Sequence, residues 1–143
     1  MTEILSTQTP STERRPRTAR RVRRAAAVLG AVAVNALIWA MFTATGVDFV
    51  LSDDMGTAAI SLPVTAVATA IFGLLGWGTL ALLERFTRRA RAIWTGLAVA
   101  ITALSIVPIF LEHATTGTRI GLTVLHLAVA AVLVPVFRAT ARR

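Results

Sequence analysis

The sequence predicts an all-α fold, namely an antiparallel bundle of four transmembrane helices with both termini in the cytoplasm. Three observations lead to this prediction. The chain of 143 residues is 55% hydrophobic, which exceeds the apolar share of an ordinary soluble domain. The apolar residues are gathered in four long runs that contain no Asp, Glu, Lys or Arg. The 15 basic residues, all of them arginine, are clustered between those runs.

The four uncharged runs cover residues 25–47, 55–83, 92–111 and 120–137. The shortest has 18 residues and the longest 29, while a helix of about 20 residues crosses a hydrocarbon core about 30 Å thick. The runs are continuous rather than alternating, which favours helices over a transmembrane β-barrel.

We therefore predict helices at about 25–45, 57–83, 92–111 and 118–137. They form a transmembrane domain at 25–138, between a disordered basic cytoplasmic tail at 1–24 and a short basic cytoplasmic tail at 139–143. A cleaved signal peptide is the competing interpretation of the first run. That run is longer than the usual apolar region of about 7–15 residues, so we expect it to stay in the protein as a helix.

The arginines predict the orientation of the bundle. Fourteen of the 15 lie before the first run, between the second and third runs, or after the fourth run. Arg119 falls on the opposite side, together with the acidic Asp48, Asp53, Asp54 and Glu112. Cytoplasmic loops of membrane proteins carry an excess of basic residues, so this positive-inside pattern predicts a plasma-membrane protein with both termini cytoplasmic.

The arginine-rich tail also predicts a partner. We expect it to lie on the anionic inner leaflet of the bilayer, where each arginine contributes about 1 kcal/mol. Nucleic acid is the alternative partner for a basic run. The positive-inside rule alone explains the charge of this run, and no nucleic-acid-binding motif accompanies it. We therefore expect that the protein does not bind nucleic acid. A homo-oligomer and a second membrane protein are both left open as partners.

Local signals suggest where the helices begin, end and bend. Helix 1 should end near Gly46, and Phe49 in the loop that follows should dip into the membrane interface. The sequence SDD at residues 52–54 is typical of a helix N-cap, because Ser and Asp accept hydrogen bonds from free amide groups. Pro63 lies near the first turns of helix 2, where proline costs little, and Pro108 should kink helix 3.

Polar residues inside the predicted spans are few. Asn35 lies at the centre of helix 1 and His126 near the centre of helix 4, so we predict a hydrogen bond between them. The further intramembrane polar candidates are Thr102, Ser105 and Thr123. This set is compatible with tight helix packing or with a polar cavity, and packing is the favoured interpretation.

At the outer surface, Glu112 and Arg119 are candidates for an ion pair that clamps helices 3 and 4. The alternative is a catalytic acid–base pair of Glu112 with His113, but no third group at a catalytic spacing supports it. Asp48, Asp53 and Asp54 do not match the spacing of a calcium loop. Since the chain has no cysteine, thiolate chemistry is excluded. We expect no metal, no cofactor and no catalytic residue.

The arginine-rich loop ERFTRRAR, the proline late in helix 3 and the segment LHLAVAAVLVP in helix 4 resemble a family of small four-helix membrane proteins common in actinobacteria. The resemblance spans about residues 24–140. The family has no assigned molecular function, so the resemblance implies fold and location and supplies no catalytic residues. The chain does not look like the small multidrug transporters, which carry a glutamate in helix 1 where this chain has Asn35.

Three hypotheses about function follow. The first is a non-enzymatic integral membrane protein that packs against itself or a partner. The second is a small transporter or channel subunit with a polar level at Asn35 and His126. The third, least favoured, is a membrane enzyme that uses Glu112, His113 or His126.

Overall fold

The computed structural model describes residues 15–53, 56–111 and 113–142. Its elements are α1 Arg15–Ala44, β1 Val50–Asp53, β2 Gly56–Ala59, α2 Leu62–Phe86, α3 Ala90–Leu111 and α4 Thr116–Thr140. In this described part of the chain, four helices are long and apolar enough to cross a membrane. The prediction of four helices of membrane-spanning length is therefore confirmed.

The helices form a bundle in which α1 and α3 each pack against both α2 and α4. Arg24, near the start of α1, bonds to Glu84 late in α2 and to Thr140 at the end of α4. At the opposite end, Trp39 late in α1 donates to the carbonyl of Ile60, just before α2. We call the first of these the basic end and the second the hairpin end.

The apolar core is divided into two clusters. The cluster near the basic end contains Ala27, Val28, Ala31, Leu80, Trp94, Leu133, Phe137 and Ala141. The cluster near the hairpin end contains Phe49, Ile109, Leu122 and Leu125. Along α1, Asn35 follows Ala31 of the first cluster and precedes Ile38, which packs on the second. A polar residue therefore separates the two apolar layers.

Helix α1 begins ten residues earlier than predicted, at Arg15 rather than Ala25. Residues 15–24 are thus helical rather than part of a disordered tail, whereas residues 1–14 lie outside the described part of the chain. Arginine and alanine are good helix formers, and Pro16 falls in the first turn, where proline is tolerated. The burial of Arg24 against α2 and α4 adds a tertiary anchor that composition does not reveal.

The other end of α1 agrees with the expectation for Gly46. The helix ends at Ala44, and Gly46 takes a positive φ of 85°. Its amide donates to the carbonyl of Thr43 at 3.0 Å, and the Val47 amide donates to that of Phe42 at 3.1 Å. This is a Schellman motif, in which a glycine without a β-carbon allows the chain to turn away from the helix.

A β-hairpin occupies the segment where the start of helix 2 was predicted. Strands β1 and β2 pair antiparallel, with Ser52 opposite Thr57. The proposed SDD cap is therefore wrong, since Ser52 and Asp53 belong to β1. Ser61 is the N-cap residue of α2, and Pro63 lies within the first two helical positions. An uncharged run is compatible with a helix or with a strand, so the sequence did not distinguish the two. In the structure, pairing with β1 satisfies backbone groups of residues 56–59.

The hairpin is fixed to the bundle by its backbone. Ser52 and His113 exchange two backbone hydrogen bonds of 3.1 and 3.0 Å, so β1 pairs with the α3–α4 connection on its other side. The hydroxyl of the fully buried Thr118 donates to the carbonyl of Asp48 at 2.7 Å. These contacts tie the loop after α1 to the start of α4.

Phe49 packs inward rather than into the membrane interface. Its side chain is 4% exposed, and its ring centroid lies 6.1 Å from that of Trp39 and 6.2 Å from that of Phe42. The ring also lies directly over Gly121 in α4. Phe49 therefore closes the hairpin end of the core, a position that the apolar character of the loop did not predict.

Candidate functional site

The polar layer between the two apolar clusters is built by α1 and α2. The amide nitrogen Nδ2 of Asn35, a residue that is 5% exposed, donates to Oγ1 of Thr69 at 2.7 Å. The Thr69 hydroxyl donates in turn to the carbonyl of Thr65 at 2.8 Å. Thr65 donates to the carbonyl of Ser61 at 3.1 Å. A chain of hydrogen bonds thus runs from the centre of α1 along one face of α2.

His126 does not join this chain. Its Nδ1 bonds to the carbonyl of Leu122, one turn back in α4, at 2.8 Å. A carbonyl oxygen only accepts, so Nδ1 carries the proton in this bond. Asn35 Oδ1 finds no donor among the described residues. The predicted Asn35–His126 hydrogen bond is therefore wrong, because Asn35 Nδ2 donates to Thr69 and His126 Nδ1 donates to Leu122.

The remaining intramembrane candidates also bond within their own helices. Thr102 donates to the carbonyl of Ala98, Ser105 to that of Thr102 and Thr123 to that of Arg119, each at 2.8 Å. Such bonds satisfy a hydroxyl without linking two helices. All three residues are half-buried. Hydrogen bonds therefore do not join these three candidates to Asn35.

At the hairpin end, Glu112 of the predicted Glu112–Arg119 pair lies outside the described residues. Arg119 is half-buried in the first turn of α4. His113 is exposed and holds β1 through its backbone rather than its ring. Within residues 15–53, 56–111 and 113–142, no three His, Asp or Glu side chains are grouped so that they could hold a metal ion.

An ionic network at the basic end was missed by sequence reasoning. Arg24 and Glu84 form an ion pair of 2.7 Å, with side chains only 6% and 10% exposed. Arg24 Nε also donates to Oγ1 of Thr140 at 3.0 Å, and its Nη2 donates to the Thr140 carbonyl at 2.8 Å. The backbone amide of Arg142 donates to Glu84 Oε1 at 2.9 Å. The Arg24–Glu84 pair therefore joins α1, α2, the end of α4 and the C-terminal segment in one network.

A signal for this network was present in the sequence. Glu84 is an acidic residue placed directly between an apolar run and an arginine-rich loop, and Arg24 directly precedes another apolar run. Both flank predicted spans, so both fall at a similar depth. The network also corrects the predicted tail at 139–143: α4 continues to Thr140, and Arg142 is bonded to Glu84.

These contacts describe a packed bundle with one buried polar layer and one buried ionic network. Comparison with curated proteins and with solved structures finds no match. The actinobacterial distribution expected from the resemblance stays a prediction. A model of a protein family of unknown function, DUF6069, matches residues 15–143. Because this match covers most of the sequence, the chain belongs to the family of unknown function DUF6069.

Proposed function

We propose that this protein is a non-enzymatic integral membrane protein that acts by packing its helices against a second copy of itself or another membrane protein. One observation carries this proposal. The polar side chains at the centre of the bundle bond to the chain itself, while large apolar side chains on every helix face outward. An outward apolar surface is suited to lipid and to other transmembrane helices.

The proposal includes the plasma membrane, an antiparallel arrangement of the spans and cytoplasmic termini. The described arginines of the basic end lie at the start of α1, around the α2–α3 turn and at the end of α4. Arg119 lies at the hairpin end, near Asp48 in the fold. An orientation with the basic end in the cytoplasm agrees with the positive-inside rule.

Labelling of single cysteines tests this orientation. The chain has no cysteine, so Thr116→Cys and Ala139→Cys introduce unique thiols at exposed positions on opposite ends of α4. In intact cells, we expect a membrane-impermeant maleimide to label the cysteine at 116 and to spare the one at 139. Permeabilised cells should show both labelled. The reverse pattern in intact cells would contradict the proposed topology.

Helix α3 offers the face best suited to a partner. Three of its residues are buried, against seven in α4. Its exposed side carries Ala92, Gly96 and Ala100 at four-residue spacing, and a β-carbon added at Gly96 would meet nothing within 4 Å. Small residues at this spacing let two transmembrane helices approach closely.

A cysteine cross-linking experiment tests association through this face. We expect Gly96→Cys to form disulfide-linked pairs of the chain in isolated membranes, and Gly78→Cys, at a similarly open position on α2, to form far fewer. Equal cross-linking at positions 96 and 78 would indicate that the disulfides form by random collision and not through a specific interface. Absence of cross-links at position 96, together with a monomer without bound protein in native lipids, would overturn the packing proposal.

A small transporter or channel subunit is the second candidate, and one observation favours it. Asn35 Oδ1 is a buried acceptor to which no described residue donates, so a water molecule or a donor group of a solute would satisfy it. Solute flux into vesicles that contain the protein, lost in Asn35→Leu, would support this function over packing.

A further inference from the structure

The basic end carries many cations and very little negative charge. Six of the exposed or half-exposed arginines at this end form two groups: Arg17, Arg20 and Arg21 in α1, and Arg85, Arg88 and Arg89 around the α2–α3 turn. Among the described residues, Glu84 is the acidic residue of this end. Its carboxylate is buried and already bonded to Arg24 and Arg142. Among the described residues, no carboxylate is paired with the six outer guanidinium groups, so they are open to an anion from outside the chain.

Apolar side chains lie among these cations. Val22, between two arginines of α1, is 60% exposed, and Phe86, next to Arg85, is 76% exposed. A soluble polyanion would leave these two side chains in water. A phospholipid instead places a phosphate directly above acyl chains, so it can accept the cation and cover the apolar group together.

The position of α1 relative to the bundle supports the same partner. Arg24 is fastened to the ends of α2 and α4, and α1 starts at Arg15. The nine residues before Arg24 therefore extend beyond the end of the bundle, by about 14 Å at 1.5 Å per residue. The depth of a lipid headgroup layer is about 5–8 Å on each side of the hydrocarbon core, so the arm is long enough to cross it.

We propose that the basic end binds anionic phospholipids, whose phosphates contact the arm group (Arg17, Arg20, Arg21) and the turn group (Arg85, Arg88, Arg89). The buried Arg24–Glu84 pair keeps the nearby carboxylate from repelling these phosphates. This inference rests on the membrane location in the proposed function. It adds a preferred lipid class and the residues that recognise it.

Native mass spectrometry of the full chain in mild detergent, with equal amounts of phosphatidylglycerol and phosphatidylcholine, tests the proposal. In detergent both ends of the protein are accessible, so lipid binding does not depend on the direction in which the protein was inserted into a membrane. One arginine near an anionic surface contributes about fivefold in binding. We expect the wild type to retain phosphatidylglycerol over phosphatidylcholine by more than about tenfold, and this preference to fall in 1 M salt, where the screening length is about 3 Å.

Two triple variants locate the binding surface: R17Q/R20Q/R21Q and R85Q/R88Q/R89Q. Each should lower the lipid preference at least about fivefold, while the matched lysine triples, which keep the charge, should retain it. Equal retention of the two lipids by the wild type would overturn the proposal. So would an unchanged preference in both glutamine triples, or an equal loss in the lysine triples.

Extraction of wild-type membranes with alkaline carbonate separates this inference from the proposed function. Release of the protein would show that it is not integral to the membrane, and both proposals would fail. Retention of the protein in the membrane, combined with equal binding of the two lipids, would overturn the lipid inference alone.

Discussion

Arg24→Leu is expected to destabilise the bundle by about 3–5 kcal/mol, whereas Arg23→Leu should change its stability by less than about 0.5 kcal/mol. The two arginines are neighbours in α1, but Arg24 is 5% exposed and Arg23 is exposed. Removal of the Arg24 guanidinium leaves the carboxylate of Glu84 buried without its cation. It also removes two hydrogen bonds to Thr140.

Unfolding in mixed detergent micelles, followed by far-ultraviolet circular dichroism, measures this difference. The double variant R24L/E84L should be more stable than Arg24→Leu alone, because replacing both members of a buried ion pair with apolar groups is often nearly neutral. The double variant should still be less stable than the wild type, since the backbone amide of Arg142 then lacks its acceptor. Equal stability of the Arg24→Leu and Arg23→Leu proteins would show that the ionic network does not hold the helices together.

Gly121→Ala is expected to cost about 1–3 kcal/mol through overpacking at the hairpin end. A β-carbon on Gly121 would lie 2.6 Å from Cε1 and 2.9 Å from Cζ of Phe49, and 3.1 Å from Cδ1 of Phe42. The Phe49 ring cannot withdraw freely, because it is buried and stacked on Trp39. Either α4 or the loop after α1 must therefore shift.

The matched control is Gly78→Ala, since a β-carbon at Gly78 meets nothing within 4 Å. That substitution should stabilise α2 by about 0.5–1 kcal/mol, the usual advantage of alanine over glycine inside a helix. Phe49→Leu removes the two closest ring atoms that a β-carbon at position 121 would contact and leaves Cδ1 of Phe42 in place. In a double-mutant cycle, Gly121→Ala should therefore cost less in the Phe49→Leu background. Additive effects in this cycle would rule out the clash as the cause.

The two expected effects lie at opposite ends of the bundle, and the sequence predicted neither of them. Gly121 lies inside a predicted span, but nothing in that position indicated that an aromatic ring from the loop after α1 would pack on it. Arg24 was assigned to a disordered tail because a run of arginines beside a predicted span is usually a solvated topological signal. Only its contact with Glu84, 60 residues away in the chain, shows that it is part of the core.

Asn35 illustrates the same limit within a predicted span. Its polarity predicted a partner across the bundle, and the structure supplies one in Thr69 rather than in His126. Both candidates lie near the middle of a span, so depth did not distinguish them. The choice depends on how α1 is rotated about its axis relative to α2 and α4, and hydropathy carries no information about that rotation.

The sequence by itself determined that four helices of membrane length are present, because a span needs only sufficient length and the absence of charge, and both are local properties of the chain. The tertiary structure decided the partners of Arg24 and Asn35, the inward position of Phe49 and the hairpin before α2. These features depend on contacts between residues far apart in sequence. A buried polar or charged group must find a partner, but only the packing of the helices fixes which partner is within reach.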